Sequence, residues 1–290
     1  MSTAMEVIVQ GILLGGLYGT FAVGLSLIFG VMRLVNVAHG DFIVLAAFMA
    51  LLLQQWLGIS SAFVILIILM PAMFALGYIL QRYLLNPALG DDILRPILVT
   101  FGISVIIQNG LLETLSADSR RLHAGNIETA SVPIFSGLAV GLLPLTMFVL
   151  CVFVVAGLQW MLSETKLGRA FRATSDDPAV AGLMGINNRH LFALATGVAF
   201  AVIALSAVFM GIRTSFTPSS GPDLLIFAFE AVTIGGLGSL WGTLLGGVTL
   251  GIAQSVGAHI SPDWQILSGH LAFLFVLLVR PSGMFPKRGD

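Results

Sequence analysis

The chain has 290 residues, 57% of them hydrophobic and only 9% charged, where soluble domains carry roughly 25% charged residues; no soluble surface can be built from that. The formal net charge of -1 gives no electrostatic case for nucleic acid. The single cysteine leaves neither a disulfide nor a thiolate metal cluster available within the chain.

The opening, MSTAMEVIVQG, has no basic n-region and no small-residue cleavage site, so the first apolar run is expected to be kept as a membrane helix. Val7 to Met32 carries no charge, and at about 1.5 Å per residue it crosses a hydrocarbon core of roughly 30 Å. Similar runs follow, so that apolar segments lie at about 6–32, 38–57, 61–84, 94–115, 138–162, 190–212, 223–236, 240–258 and 264–280. The predicted fold class is an all-α polytopic membrane protein of eight or nine membrane segments, some broken or re-entrant, forming one transmembrane domain over 1–290. Cys151, inside LTMFVLCVFVVAGL, reads as an inert small hydrophobe.

Polar residues inside these runs are the candidate functional groups, because charge within a span is costly and faces a cavity or a partner. Just after the first run, Asn36, His39, Gly40 and Asp41 interrupt apolar sequence, and Gly40 can break a helix there. His39 and Asp41 are too few to argue for a metal. In the fourth run, Gln108 and Asn109 suit interhelical hydrogen bonds or a path lining. DLLIFAFEAVTIGG, from Asp223, is short enough to be a tilted half-helix or a re-entrant segment, and it carries Glu230, either a transport group or a structural acid. Gly235, Gly236, Gly238 and Ser239 form a second glycine interruption, and paired interruptions point to a central transport site in folds built from inverted repeats. No lysine followed by serine or threonine comes after them, so they are not a phosphate loop. His270 reads as a packing histidine.

Small residues at every fourth position, Gly11, Gly15 and Gly19 and again Gly238, Gly242 and Gly246, with Gly247 and Gly251 offset by one, predict close helix packing. Lysine and arginine give orientation, since short cytoplasmic loops hold the excess. With 163–189 inside, Arg33, Arg82, Arg95, Lys166, Arg169, Arg172, Arg189, Arg280, Lys287 and Arg288 fall inside and only Arg120, Arg121 and Arg213 outside. The amino terminus is then outside and the carboxyl terminus inside.

One long polar block remains, TKLGRAFRATSDDPAVAGLMGIN from Thr165. Leu167, Ala170, Phe171 and Thr174 share one side of a first short helix, with Lys166, Arg169 and Arg172 on another. Asp177 can cap a second that starts at Pro178, shows Val180, Leu183 and Met184 on one face and stops at Gly185. Helices this short need an external hold, which is anionic lipid or a groove on a soluble partner.

GRAFRATSDDPAVAGLMGIN resembles the cytoplasmic coupling loop of the LivH-type permeases, membrane subunits of branched-chain amino acid ABC importers in the hydrophobic amino acid uptake family. GGLYGTFAVGLSLIFGVMRLVNVAHGDF, VTIGGLGSLWGTLLGGVTLG and RPSGMF agree in order and position. The resemblance implies that Leu167, Gly168, Arg169, Ala170, Phe171, Arg172, Pro178, Val180, Leu183, Met184 and Gly185 couple to an ATPase. It implies a second, LivM-like permease, two ATPase subunits that use ATP and Mg, a periplasmic substrate-binding protein and a bacterial inner-membrane location. This chain itself would bind no cofactor and would not be an enzyme. Asp41 stands where glutamate is common in the family, and leucine, isoleucine and valine are its best-known cargo. An ion-gradient transporter using Glu230 or Asp41 is the alternative.

Overall fold

Hydrocarbon offers backbone N–H and C=O groups no partner but each other, so uncharged runs fold as helices. A computed structural model describes residues 2–59, 61–90, 94–135 and 138–285. In chain order it has α1 (Ser2–Met32), α2 (His39–Leu57), and α3 (Ala62–Leu80) continued by a π-helical turn at Gln81–Leu85 and a short α4 (Asn86–Ala88). Then come α5 (Leu94–Leu115), α6 (Leu142–Glu164), α7 (Lys166–Asp176) and α8 (Pro178–Leu183). α9 (Asn188–Arg213), α10 (Gly221–Gly235), α11 (Leu240–Ile260) and α12 (Trp264–Val279) complete the chain. Among the described residues seven helices are long and apolar enough to cross a membrane, and α12 is shorter but apolar.

The fifth apolar run departs from a plain helix at its start. Ser131–Phe135 (β1) pairs antiparallel with Leu138–Gly141 (β2), Val132 opposite Val140, and the helix begins only at Leu142. Pro144 then lies in the first turn, where its missing N–H costs no helical hydrogen bond.

The centre is built from α1, α9 and α11. α1 and α11 cross antiparallel so closely that a Cβ on Gly15 would lie 2.4 Å from the Val248 Cα, and one on Gly251 2.3 Å from the Gly11 carbonyl oxygen. The second stripe of α11 serves another neighbour: a Cβ on Gly246 would lie 2.0 Å from the Ala231 carbonyl oxygen of α10. Side chains wider than hydrogen are excluded at these crossings, so dispersion contacts are made between backbones themselves. α3, α5 and α6 surround this centre and keep apolar faces outward, with Ile67, Ile106 and Phe153 exposed.

Two helices start part-way through the bundle. A ring nitrogen of His39, Nε2, is 2.8 Å from the Phe21 carbonyl oxygen, so α2 begins level with the middle of α1. Eleven residues separate Phe21 from the end of α1 at Met32, a drop of about 16 Å. Gly221, the first residue of α10, packs on that same turn, since a Cβ placed there would lie 2.0 Å from Asp41 Oδ1. α10 then runs to the Gly236–Gly238 turn, which lies against Gly30 near the end of α1. The short Asp223–Gly236 run is therefore a half-helix, and 15 residues suffice for it. Its last carbonyls, Ile234 and Gly235, accept the N–H groups of Met284 and Phe285, which gives the RPSGMF segment a capping role. Lys287 and Arg288 lie outside the described residues.

Candidate functional site

The polar block folds back on the bundle as an elbow. Thr165 Oγ1 accepts the Gly168 N–H at 3.1 Å and starts α7; Gly168 packs where a Cβ would lie 2.2 Å from the Leu162 carbonyl oxygen. Asp177 Oδ1 accepts the N–H groups of Ala179 and Val180 at 2.9 and 3.0 Å and starts α8 at Pro178. Gly185, at φ 83°, ends that turn, donating its N–H to Gly182 while Ile186 donates to Ala181. These start and stop signals are the ones the sequence carries.

The buried face differs in detail from the pattern. Gly168, Phe171 and Thr174 turn inward, Phe171 only 2% exposed within the cluster of α1, α6 and α9, while Leu167 points out and Ala170 is half-buried. Arg169 donates to the Glu164 carbonyl oxygen at 3.2 Å, and Arg172 donates to the Leu162 and Ser163 carbonyl oxygens. Both cations therefore close the carboxyl end of α6, where helix carbonyls lack partners. Ser175 Oγ donates to the Gly30 carbonyl oxygen at 2.8 Å, and Thr174 Oγ1 to Asn188 Oδ1 at 3.3 Å, joining the elbow to α1 and α9. On α8 only Ala181 is buried; Val180, Leu183 and Met184 are 54%, 87% and 80% exposed. Three apolar side chains thus face away from this chain on a helix whose other side is held.

The second constellation is the mid-depth junction of α2 and α10. Asp41 is 2% exposed, and Gln108 Nε2 of α5 donates to its Oδ1 at 3.0 Å and to Ser104 Oγ at 3.1 Å. Asn36 Oδ1 accepts the Ala38 N–H at 3.0 Å, and Gly40 touches the Gly221 carbonyl. Asn36 Nδ2 and His39 Nδ1 are buried without a protein partner among the described residues. Asn109 bonds back to the Val105 carbonyl oxygen of its own helix. Thr100, Ser104 and Gln108 recur every four residues on α5, a polar stripe at helical spacing that sequence reasoning missed. Gly235, Gly236, Gly238 and Ser239 sit at the far end of α10 beside Gly30, at another depth from Gly40.

The third constellation joins the terminal helices. Glu230 Oε1 is 2.5 Å from His270 Nδ1, and the ring of Phe227 stacks on His270. Tyr18 donates to Gln254 Oε1 at 2.5 Å and packs on the same Phe227. Glu230 Oε2 and Gln254 Nε2 remain buried without partners among the described residues. Forty residues separate Glu230 from His270, so no local spacing announces the pair.

A family profile described as branched-chain amino acid transport system / permease component matches residues 7–279. The chain belongs to that family. This permease is 30% identical to the high-affinity branched-chain amino acid transport system permease protein BraD of Pseudomonas aeruginosa, over 98% of this chain and 96% of the relative. It is 26% identical to the permease protein LivH of Escherichia coli K12, over 96% and 94% of the two chains. In fold it is similar to PsaBC from Streptococcus pneumoniae in complex with Fab, with a TM-score of 0.50 at 14% identity, covering 96% of this chain and 93% of that one. The permease is thus a multi-pass, mostly α-helical membrane protein of a transport family, and its relatives are transporter subunits rather than enzymes.

Proposed function

We propose that this permease is the membrane subunit of an ATP-driven importer that carries branched-chain or related amino acids across a bacterial inner membrane, with the amino terminus periplasmic and the carboxyl terminus cytoplasmic. The observation that supports it is the outward apolar face of α8, Val180, Leu183 and Met184, on an elbow braced into the bundle by Phe171 and Ser175. A soluble ATPase groove would cover that face, in the manner of an amphipathic helix with anchors at i, i+3 and i+4. Leu167, Gly168, Arg169, Ala170, Arg172, Pro178 and Gly185 shape and orient the elbow.

ATP binding draws two ATPase subunits together, the elbow follows, and the pathway exchanges outward for inward access. The energy enters as differential contact of the ATPases with the two states. A second related permease completes the pathway, and a periplasmic binding protein delivers cargo. Asn36, His39, Gly40, Asp41 and Glu230 are the pathway groups of this chain, and the Gly235–Ser239 turn is the joint between α10 and α11. The names of BraD and LivH support branched-chain amino acids as cargo.

Reconstitution tests this. With both permeases, the ATPases and the binding protein in liposomes, leucine accumulates only when ATP is present on the ATPase side. The buried Glu230, paired with a partly exposed His270, favours a second reading, transport driven by an ion gradient. Uphill leucine uptake by this chain alone under a proton or sodium gradient would establish that reading and remove the first.

A further inference from the structure

A cavity of about 200 Å³ lies at the amino-terminal end of α1, between the first turns of that helix, β2, the start of α6 and the last residue of α9. That last residue, Arg213, is half-buried, and it makes no hydrogen bond or ion pair among the described residues. The negative end of the α9 dipole favours a cation there but gives its N–H groups no acceptor. A half-buried guanidinium with five unmatched donors calls for an anion, and its planar fork matches a carboxylate with two parallel hydrogen bonds.

The same cavity carries the opposite charge. Exposed Glu6 borders it, and its Oε1 accepts Gln10 Nε2 at 3.2 Å, a bond that leaves Glu6 Oε2 and Gln10 Oε1 as acceptors. Glu6 and Arg213 form no ion pair with each other, although both border this one small space. Val9, Leu13 and Pro144 add an apolar wall.

A cation and an acid held apart around one cavity fit a ligand that carries both charges, and the apolar wall fits a short aliphatic side chain. A cavity of roughly 150 Å³ already holds benzene, so about 200 Å³ takes a small aliphatic amino acid. We propose that this cavity binds a free small aliphatic α-amino acid, its carboxylate on Arg213 and its ammonium on Glu6 and Gln10. None of Asn36, His39, Asp41 and Glu230 borders it, so the site is separate from the pathway groups. The importer reading supplies only the side of the membrane, periplasmic; the class of ligand follows from the two charges. An occupant joins the start of α1 to the end of α9, two of the three central helices, and stabilises the fold that binds it.

Equilibrium binding of radiolabelled leucine to the purified permease with its copurifying subunits, and no binding protein, provides the test. Leucine is expected to bind and to raise the unfolding temperature. Isocaproate and isoamylamine, which keep the side chain and one charge each, should compete at least tenfold more weakly. Glu6→Gln should weaken leucine binding about tenfold, and Arg213→Gln at least as much, with Arg213→Lys recovering part of it. No binding in wild type overturns the proposal, as does equal binding in wild type and both neutral variants, which would seat leucine elsewhere in the permease. Competition by either singly charged analogue as strong as by leucine overturns it too, because the site would then read one charge. If Arg213 variants fail to fold, Glu6→Gln and the two analogues decide. A phosphatidylethanolamine headgroup carries the same pair of charges, so binding is repeated in nanodiscs of phosphatidylglycerol with and without that lipid. Leucine binding kept in both supports the amino acid; binding lost when the lipid is added makes the headgroup the occupant and overturns the proposal. Failure of ATP-driven leucine uptake with this binding intact removes the importer reading and leaves the site; normal uptake with no binding removes the site alone.

Discussion

The crossing of α1 with α11 and the elbow of α7 with α8 both bring small residues and short apolar stretches together, yet they are finished to different degrees. At the crossing Gly11, Gly15, Gly247 and Gly251 each meet the backbone of the facing helix, as Gly15 and Val248 or Gly251 and Gly11 show. At the elbow one side is equally filled, by Gly168 against Leu162, while Gly185 meets nothing and Leu183 and Met184 stand in the open. The first region is complete within the chain. The second has a finished inner face and an outer face that hydrophobic burial would complete only with another molecule.

The largest expected effect tests the first half of that contrast. Gly15→Leu would force two backbones apart, and overpacking at a crossing this tight is expected to leave no monodisperse permease after detergent extraction, read by size-exclusion chromatography. A stable, active Gly15→Leu protein would mean that the crossing is looser than described. Next, Leu183→Asp with Met184→Asp should abolish ATP-driven uptake and copurification of the ATPases. Thermal unfolding should move by no more than about 0.5 kcal/mol, as for exposed positions without internal partners. Loss of stability comparable to loss of uptake would show that the face is structural. The smallest effect is expected from Asp177→Ala, which removes a cap worth about 1 kcal/mol from α8 alone. It should lower uptake partially and leave extraction and unfolding of the bundle unchanged.

Much of this was legible in the residues themselves. Uncharged length predicted the spans, the Asp177–Pro178 pair predicted the start of α8, and the fourfold glycine spacing predicted where helices meet. Leu167 shares a side with Phe171 by helical spacing, but Gly168 takes the tight place against α6 because only hydrogen fits there. Arg169 and Arg172, which look like a free basic face, are engaged by the carbonyls ending α6. Glu230 and Asp41 stand out in sequence as polar groups at membrane depth, but their partners His270 and Gln108 come from distant helices.

By itself the sequence determined that the chain lives in a membrane, which apolar runs are long enough to cross it, where the polar elbow starts and stops, and which family it joins. Those properties follow from composition and from hydrogen bonds closed within a few residues of each other. Only the tertiary structure decided that α2 and α10 begin at mid-depth, that Gly221 rather than Gly235 meets Gly40, and that Glu230 meets His270. Depth and long-range pairing are set by which helices touch, and lipid leaves that choice to packing and a few polar bonds.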